Sequence, residues 1–599
     1  MFCSDIMLAF MLAALAAAAS AVDVPISNHW DGGFQAKGCV TITKDLHSWR
    51  AHLTFSQAVD SVDCGTANVQ KTSGGEEYIL TNKQWNADEH AGDKLCLEFV
   101  GHISGNTAPK ATLTVEGVAA GSSHTGSSNT GSSHTSTHTG TQAPVHTGGG
   151  KERYNYGEAL GKSILFYDAQ RSGKLPANNP ISWRGDSALG DKGDNGHDLS
   201  GGWYDAGDHV KFSLPMSSST TLLLWGYLQW KDAYATTKQT DKFFDMIKWP
   251  LDYFLKCWIP SSQTLYAQVG EGTDDHHFWG RAEDMKMARP AYKLTPSKPG
   301  SDVAGEIAAS LAAGYMAFKQ RDHAYAAKLL TASKQIYAFG KKYPGKYSQS
   351  ITDAGQFYSS SGFKDEMCEG AMWLYKATGD KSYLADAKGY HENAWAWALG
   401  WDDKKIACQL LLYEATKDSA YEAEVVGFFK GWLPGGSVTY TPCGQAWRDQ
   451  WGSNRYAANS AFVALLAADA GIDTATYRKW AIEQINYILG DNKYGISYQI
   501  GFGSKYPRSP HHRSASCPDR PAPCTEANLH SSGPSPQLLV GAIVGGPDKD
   551  DSYKDNREDY VHNEVACDYN SGFQSALAGL THLVHAKELP AVPAPKCHG

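Results

Sequence analysis

Two stretches of this chain crowd carboxylates among glycines and aromatics. In the first, Gly201-Gly202-Trp203-Tyr204-Asp205-Ala206-Gly207-Asp208-His209-Val210-Lys211-Phe212, two aspartates stand three residues apart. In the second, Tyr553-Lys554-Asp555-Asn556-Arg557-Glu558-Asp559-Tyr560-Val561-His562-Asn563-Glu564, four more acidic residues gather beside tyrosines and a histidine. Two carboxylates in unlike environments can protonate a leaving oxygen and activate a water, the pair of tasks that splits a glycosidic bond. Either run taken alone also reads as a solvated charged loop. The chemistry therefore depends on elements that bring the two runs together.

Composition narrows what those elements could serve. The 599 residues exceed what one core usually supplies, so two or more domains are expected. A formal net charge of −9 and the absence of a Lys/Arg-rich run argue against nucleic acid as a partner. Aromatic residues reach 12%, with 18 Trp and 31 Tyr, an excess that flat ligands with polar rims, such as sugar rings, would explain. The one long apolar run, Ile6 to Ala19, ends in Ala19-Ser20-Ala21 and reads as a secretory signal over 1–21; it is too short to span a bilayer comfortably. The expectation is a secreted, extracellular monomer with no membrane partner.

Residues 119–150 contain 21 Gly, Ser or Thr among 32 positions and nothing charged or aromatic, the composition of a linker. Its four histidines are irregularly spaced and lack the surroundings that fix a metal ligand. Before it, short β-rich runs at 39–43, 49–55, 78–81, 94–100 and 112–115 predict an all-β sandwich over 22–118. Trp49 reads as core, whereas Trp30 and Trp85 stand in loop or strand-end contexts suited to a ligand platform. After the linker the period changes to that of helices. Twelve are predicted, near 154–170, 217–230, 241–256, 303–319, 323–343, 365–378, 382–399, 404–416, 418–430, 454–470, 474–489 and 573–588. In the last, Phe573, Leu577, Leu580 and Val584 share one face. Such a series suits a closed ring of helix pairs whose loops build the site.

Residues 24–117, through NHWDGGF, HSWRAHLTF, LTNKQWN, AGD and GNTAPKATLTVEG, resemble a family 2 carbohydrate-binding module, although no aromatic stands near Asp63-Cys64-Gly65, where that family commonly has one. Residues 151–588 resemble glycoside hydrolase family 9, the inverting β-1,4-glucanases with an (α/α)6 barrel. The resemblance rests on WYDAGDHVKF, DDHHFWGRAEDM, WGSNRYAAN, YILGDNKYGISYQIGFG, PHHR at 510–513 and YKDNREDYVHNEVACDYNSGF. Gln499 and Ile500 depart from its usual small or aliphatic residues.

The resemblance implies a general acid at Glu564, a base at Asp208 and a second water-holding carboxylate at Asp205. It makes Asp555 the organiser of the acid's segment and gives His511 and Arg513 sugar hydroxyls to bind. His276, Trp279, Trp451, Arg455 and Tyr560 become subsite walls, with at least one of Trp395, Trp397 and Trp401. The expected chain is then a signal peptide (1–21), a binding module (22–118), a linker (119–150) and a catalytic domain (151–599). Its expected partners are cellulose and related β-1,4-glucans. Lichenan, glucomannan or xylan is the alternative substrate for the same mechanism, and a binding protein without catalysis is a rival of another class.

No cofactor is required for hydrolysis by two carboxylates. Ser361, Gly362, Asp365 and Glu366 resemble the calcium segment of some family members, completed by Asp402 or Asp403, and calcium suits such hard oxygen ligands. The same residues also read as an acidic first turn of a helix. Without Cys3 the chain keeps eleven cysteines, an odd number, so at least one is free; Cys517 and Cys524 are the expected local disulfide.

Overall fold

A computed structural model describes residues 21–116, except 31, 65, 84–86, 88, 90 and 106, and residues 150–597; of 27 and 30 it describes the backbone alone. Contacts divide the chain into two units, at Thr141 and Gln142, and each is taken by itself.

The first unit is a sandwich of antiparallel strands: β1 (Val22–Val24), β2 (Ile26–Trp30), β3 (Gly33–Thr41), β4 (Arg50–Phe55), β5 (Ser61–Asp63), β6 (Ala67–Lys71), β7 (Glu77–Asn82), β8 (Lys94–His102) and β9 (Ala111–Val115). One sheet runs β1-β9-β4-β7-β6 and the other β2-β3-β8-β5. Alternation places every second residue inside, as in β9, where Ala111, Leu113 and Val115 are buried between partly exposed threonines. Phe34, Phe55, Tyr78 and Phe99 meet edge to face in the core at 5.8–6.4 Å. Trp49 is buried with them. Cys39 and Cys96 are direct cross-strand partners and form a disulfide.

The second unit is an (α/α)6 barrel, in which inner and outer helices alternate along the chain. The inner ones span Ser213–Gln229, Ser301–Phe318, Lys364–Thr378, Lys405–Thr416, Ser453–Asp469 and Cys567–Ala586. The ring closes through Cys567–Ala586, which packs against both Ser213–Gln229 and Ser453–Asp469. An inner helix has no solvent face, so its polar residues must be satisfied locally. In Ser213–Gln229, the hydroxyls of Ser217, Ser219, Thr220 and Thr221 donate to carbonyls four residues back. Ser301–Phe318 and Lys364–Thr378 meet at Gly305 and Gly370, where a β-carbon on either would come within 2.7 Å of the partner's backbone.

Two predicted helices shift. The stretch expected at 382–399 leaves the helix after Tyr390, so Trp395, Trp397 and Trp401 stand on a loop. The final helix begins at Cys567, three residues after Glu564. Among the described residues no helix is long and apolar enough to cross a membrane.

Candidate active site

The loop carrying Asp205 and Asp208 enters the inner helix Ser213–Gln229, and the segment carrying Glu564 enters the inner helix Cys567–Ala586. Three backbone links join the two carboxylate runs that lie far apart in sequence. The Cys567 amide donates to the Asp205 carbonyl (2.9 Å), the Arg513 amide to the Gly207 carbonyl (3.0 Å), and the His511 amide to the Asn563 carbonyl (2.9 Å). Position 207 accepts only glycine, since a β-carbon there would lie 2.2 Å from the His511 carbonyl oxygen. Asp555 works in the same way: its two carboxylate oxygens accept the Arg508 and Ser509 amides at 2.7 and 2.9 Å, which ties the loop leading to His511 to the acid's segment.

The three central carboxylates differ in their partners. Asp208 accepts the amides of Ala206 and Val210, each at 3.0 Å. Burial and then Asp275 push its pKa up, against the pull of His276 and Arg513. Asp205 is buried, accepts the Tyr358 hydroxyl on one oxygen and leaves the other unpartnered. Burial, Asp208 and Asp568 hold its pKa well above the carboxylate range. Glu564 is half-buried beside the Trp451 indole, which hydrogen-bonds it; burial and then Asp208 raise its pKa to about 8. Among the described residues none of the three has an ion-pair partner.

Arginines do stand nearby, each spent on another acid. Arg455 binds Asp568 at 2.6 Å and Arg513 binds Asp275, and both guanidinium groups are buried. Arg455 thus departs from its expected place as a subsite wall. Its side chain is held by Asp568, the Trp451 carbonyl and the Tyr456 hydroxyl, inside the protein. Arg513 likewise braces Asp275 rather than lying open to a ligand.

Aromatics surround these acids. Tyr560 is 40% exposed and meets Trp451 (5.4 Å) and His511 (5.9 Å), while Trp279 meets His511 at 5.1 Å and donates to Ser516. His276 stacks on Phe357. His511 donates through Nδ1 to the Arg557 carbonyl, and burial lowers its pKa to about 4, so it faces the site as a neutral imidazole. His512 is buried between Gln170 and the Ala515 amide, a structural position. Of the three loop tryptophans, Trp401 packs on Tyr358, itself bonded to Asp205, whereas Trp395 and Trp397 lie under Arg448. Trp85 and the side chain of Trp30 lie outside the described residues. The sequence reading missed Tyr358, Asp275 and Asp568; the last two stand inside its quoted motifs, but nothing in the spacing around Tyr358 marks it.

A second acidic cluster involves the expected calcium segment. Glu366 is fully buried with neither carboxylate oxygen partnered, and burial, Asp365, Asp302 and Asp402 push its pKa well up. Asp402 accepts the Ser361 amide at 2.7 Å, whereas Asp403 serves the Trp397 and Lys405 amides. Asp402 is thus the later aspartate that meets the segment. Among the described residues, no three His, Cys, Asp or Glu side chains already converge as a metal-binding group.

The family model for glycosyl hydrolase family 9 matches residues 156–577, and that for a cellulose binding domain matches residues 20–120. Endoglucanase B of Cellulomonas fimi is 45% identical over 473 residues, covering 76% of this chain and 45% of its own length. Endoglucanase A of Bacillus pumilus is 46% identical over 447 residues, covering 72% of this chain and 67% of its own. The chain thus spans less than half of the first relative. The solved endoglucanase of the termite Nasutitermes takasagoensis superposes with a TM-score of 0.70 at 47% identity, covering 72% of this chain and all of that one.

Proposed function

Since this chain belongs to glycosyl hydrolase family 9 and carries a cellulose binding domain, we propose that it is a secreted endoglucanase that hydrolyses internal β-1,4-glucosidic bonds of cellulose with inversion. The observation that carries the reading is that backbone hydrogen bonds hold the segment of Glu564, a half-buried carboxyl without an ion-pair partner among the described residues, against the loop of a second acid, Asp208, that is anchored by backbone amides; burial and Asp208 raise the Glu564 pKa to about 8. Glu564 donates its proton to the glycosidic oxygen as the bond to the anomeric carbon breaks. Asp208 takes one proton from the water whose oxygen attacks the opposite face of that carbon, and Asp205 holds that water by accepting a hydrogen bond from its remaining O–H, which stays on the product as the new anomeric hydroxyl. Tyr560, Trp451 and Trp279 offer rings against which sugar faces stack.

Hydrolysis of a soluble cello-oligosaccharide followed by NMR tests the mechanism. The expected first product is the α anomer; release of the β anomer would replace the water-activating role of Asp208 with a covalent one. Faster release of reducing ends from lichenan, glucomannan or xylan than from cellulose would overturn the substrate.

The binding module concentrates the barrel on insoluble polymer without shaping its site. Deleting residues 22–118, or combining Trp30→Ala with Trp85→Ala, is expected to cut adsorption to cellulose and leave soluble oligosaccharide hydrolysis in place. Export is supported by the leader-like 1–21 run and by the four disulfides among the described residues, since disulfides persist in oxidising compartments. The orphaned oxygens of Glu366 fit a hard cation: Ser361, Gly362, Asp365, Glu366 and Asp402 would hold calcium in a structural role. Chelation is then expected to lower the barrel's unfolding temperature.

A further inference from the structure

A cavity of about 450 Å³ opens on the barrel away from the residues assigned to chemistry, sharing with them only Asp555. That volume falls within the range of small-molecule sites, roughly 300–1,000 Å³. Its walls come from the loop that follows the Thr474–Leu489 helix and from the start of the acid's segment.

The lining is unusual for a surface crevice. Tyr494 is 37% exposed, and with Tyr560 of the catalytic cleft it is one of only two tyrosines among the large apolar residues left exposed in the described parts. Its ring is fixed rather than free, because its hydroxyl accepts the Tyr553 amide at 3.3 Å. Tyr553 donates its own hydroxyl to Asn563 at 2.6 Å, and Tyr506 lies beneath the Arg508 guanidinium at 5.8 Å. Three tyrosines therefore border one hollow, two of them with hydroxyls held by hydrogen bonds, and Tyr494 and Tyr506 each carry a cation, Lys493 and Arg508, over one ring face, so that the opposite face is the one left for stacking.

Between them stand donors and an acceptor. Lys505 and Arg508 are exposed and form no ion pair or side-chain hydrogen bond among the described residues. Each oxygen of Asp555 holds one backbone amide and keeps a second acceptor position. A purely anionic ligand would meet that carboxylate, and an apolar one would strand the two cations. A neutral ring with an apolar face and hydroxyls around its edge satisfies all of them.

We propose that this cavity is a second carbohydrate site, which takes one end of a short β-1,4-linked glucan by stacking on Tyr494 and Tyr506 and hydrogen-bonding to Lys505, Arg508 and Asp555. The inference rests on the cellulase reading above for the identity of the glycan. The cavity and the cleft share one wall, since Tyr553 and Asp555 are bound to the segments that carry Glu564 and His511.

Hydroxyl-radical footprinting of the full chain bearing Glu564→Gln, with and without cellotriose, tests it. A ligand that buries 70–90% of its surface should slow oxidation of Tyr494 and Tyr506 at least about threefold, together with Tyr560 in the cleft. Introducing Tyr494→Ala in that background should abolish the protection of Tyr506 and leave that of Tyr560. Protection of Tyr560 alone would overturn the second site while leaving the cleft's role intact. Protection of none of the three would overturn both readings. Equal protection by maltotriose would overturn the preference for β-linked chains.

Discussion

His52 in the sandwich and His511 in the barrel are pushed in opposite directions. His52 lies between Glu116 and Glu77, whose hydrogen bonds raise its pKa, and water reaches all three. His511 is desolvated and drops to about 4. The carboxylates repeat the contrast. In the sandwich Glu98, Glu116 and Asp63 sit near solvent beside Lys37, Arg50 and His102. In the barrel the nearby arginines are bound to Asp568 and Asp275, and burial raises the pKa of all three central acids, helped at Asp205 and Glu564 by Asp208 and at Asp208 by Asp275. Exposed pairs contribute little and shape a surface, whereas buried unpaired acids are held ready for proton transfer at a cost in stability. One unit is organised to present a face and the other to hold a charge out of balance.

The contrast breaks most visibly at Glu564. Glu564→Gln should lower kcat on a soluble cello-oligosaccharide by about 10²–10⁴, with sugar binding and the unfolding temperature kept. Near-normal turnover would remove Glu564 from the acid's role. In the sandwich the largest effect should instead be on stability. Trp49→Ala should cost about 3–5 kcal/mol in the denaturant unfolding of the first unit, with soluble-substrate turnover unchanged.

A finer test separates the acid from its surroundings. Because Glu564 must be protonated, kcat should fall as pH rises through about 8, and fall again as pH drops through the raised pKa of Asp208. Asp568→Asn removes one of the charges that raise the Glu564 pKa, so the alkaline limb should move down by roughly half to one pH unit. A limb that stays in place would assign it to another group. The smallest effect belongs to His52. Its folded pKa is raised, so its contribution is full below the ordinary value of 6.5 and is lost as pH rises through the folded value. His52→Gln should therefore lower the sandwich's stability by about 0.2–1 kcal/mol in mildly acidic buffer and by nothing at high pH.

Much of this was legible before any coordinates. Strand alternation and helical period fix which residues face inward, so β4, β7, β8, β9 and most barrel helices fall where expected. The failures have local causes. Trp395 and Trp397 extend a pattern that looks helical, but the chain turns extended after Tyr390. β1, β2, β5 and β6 are short or edge strands, whose pattern is weak until the partner strand is known. In the site, the acidic motifs show which carboxylates meet. Pairing does not show in them: Arg455 meets Asp568 because the helices Ser453–Asp469 and Cys567–Ala586 pack side by side, and Arg513 reaches Asp275 across 238 residues of sequence. Tyr358 reaches Asp205 across 153 residues, and no spacing announces such a contact.

Among the described residues the thiols of Cys64, Cys257 and Cys567 are buried and eight other cysteines form four disulfides. Burial pushes Cys257 up to about 12 and Cys567 well above the thiol range, and the Cys567 sulfur donates to the Tyr204 carbonyl, next in sequence to Asp205. Neither thiol can attack a disulfide while the fold is intact, because exchange requires the thiolate and access. Unfolding releases both restraints at once. The exposed thiols then ionise near their ordinary pKa and scramble the disulfide pairs, so heat inactivation in alkaline, non-reducing buffer becomes a one-way process. The working lifetime of the protein is set there by how often the barrel opens, not by the equilibrium between folded and unfolded chains.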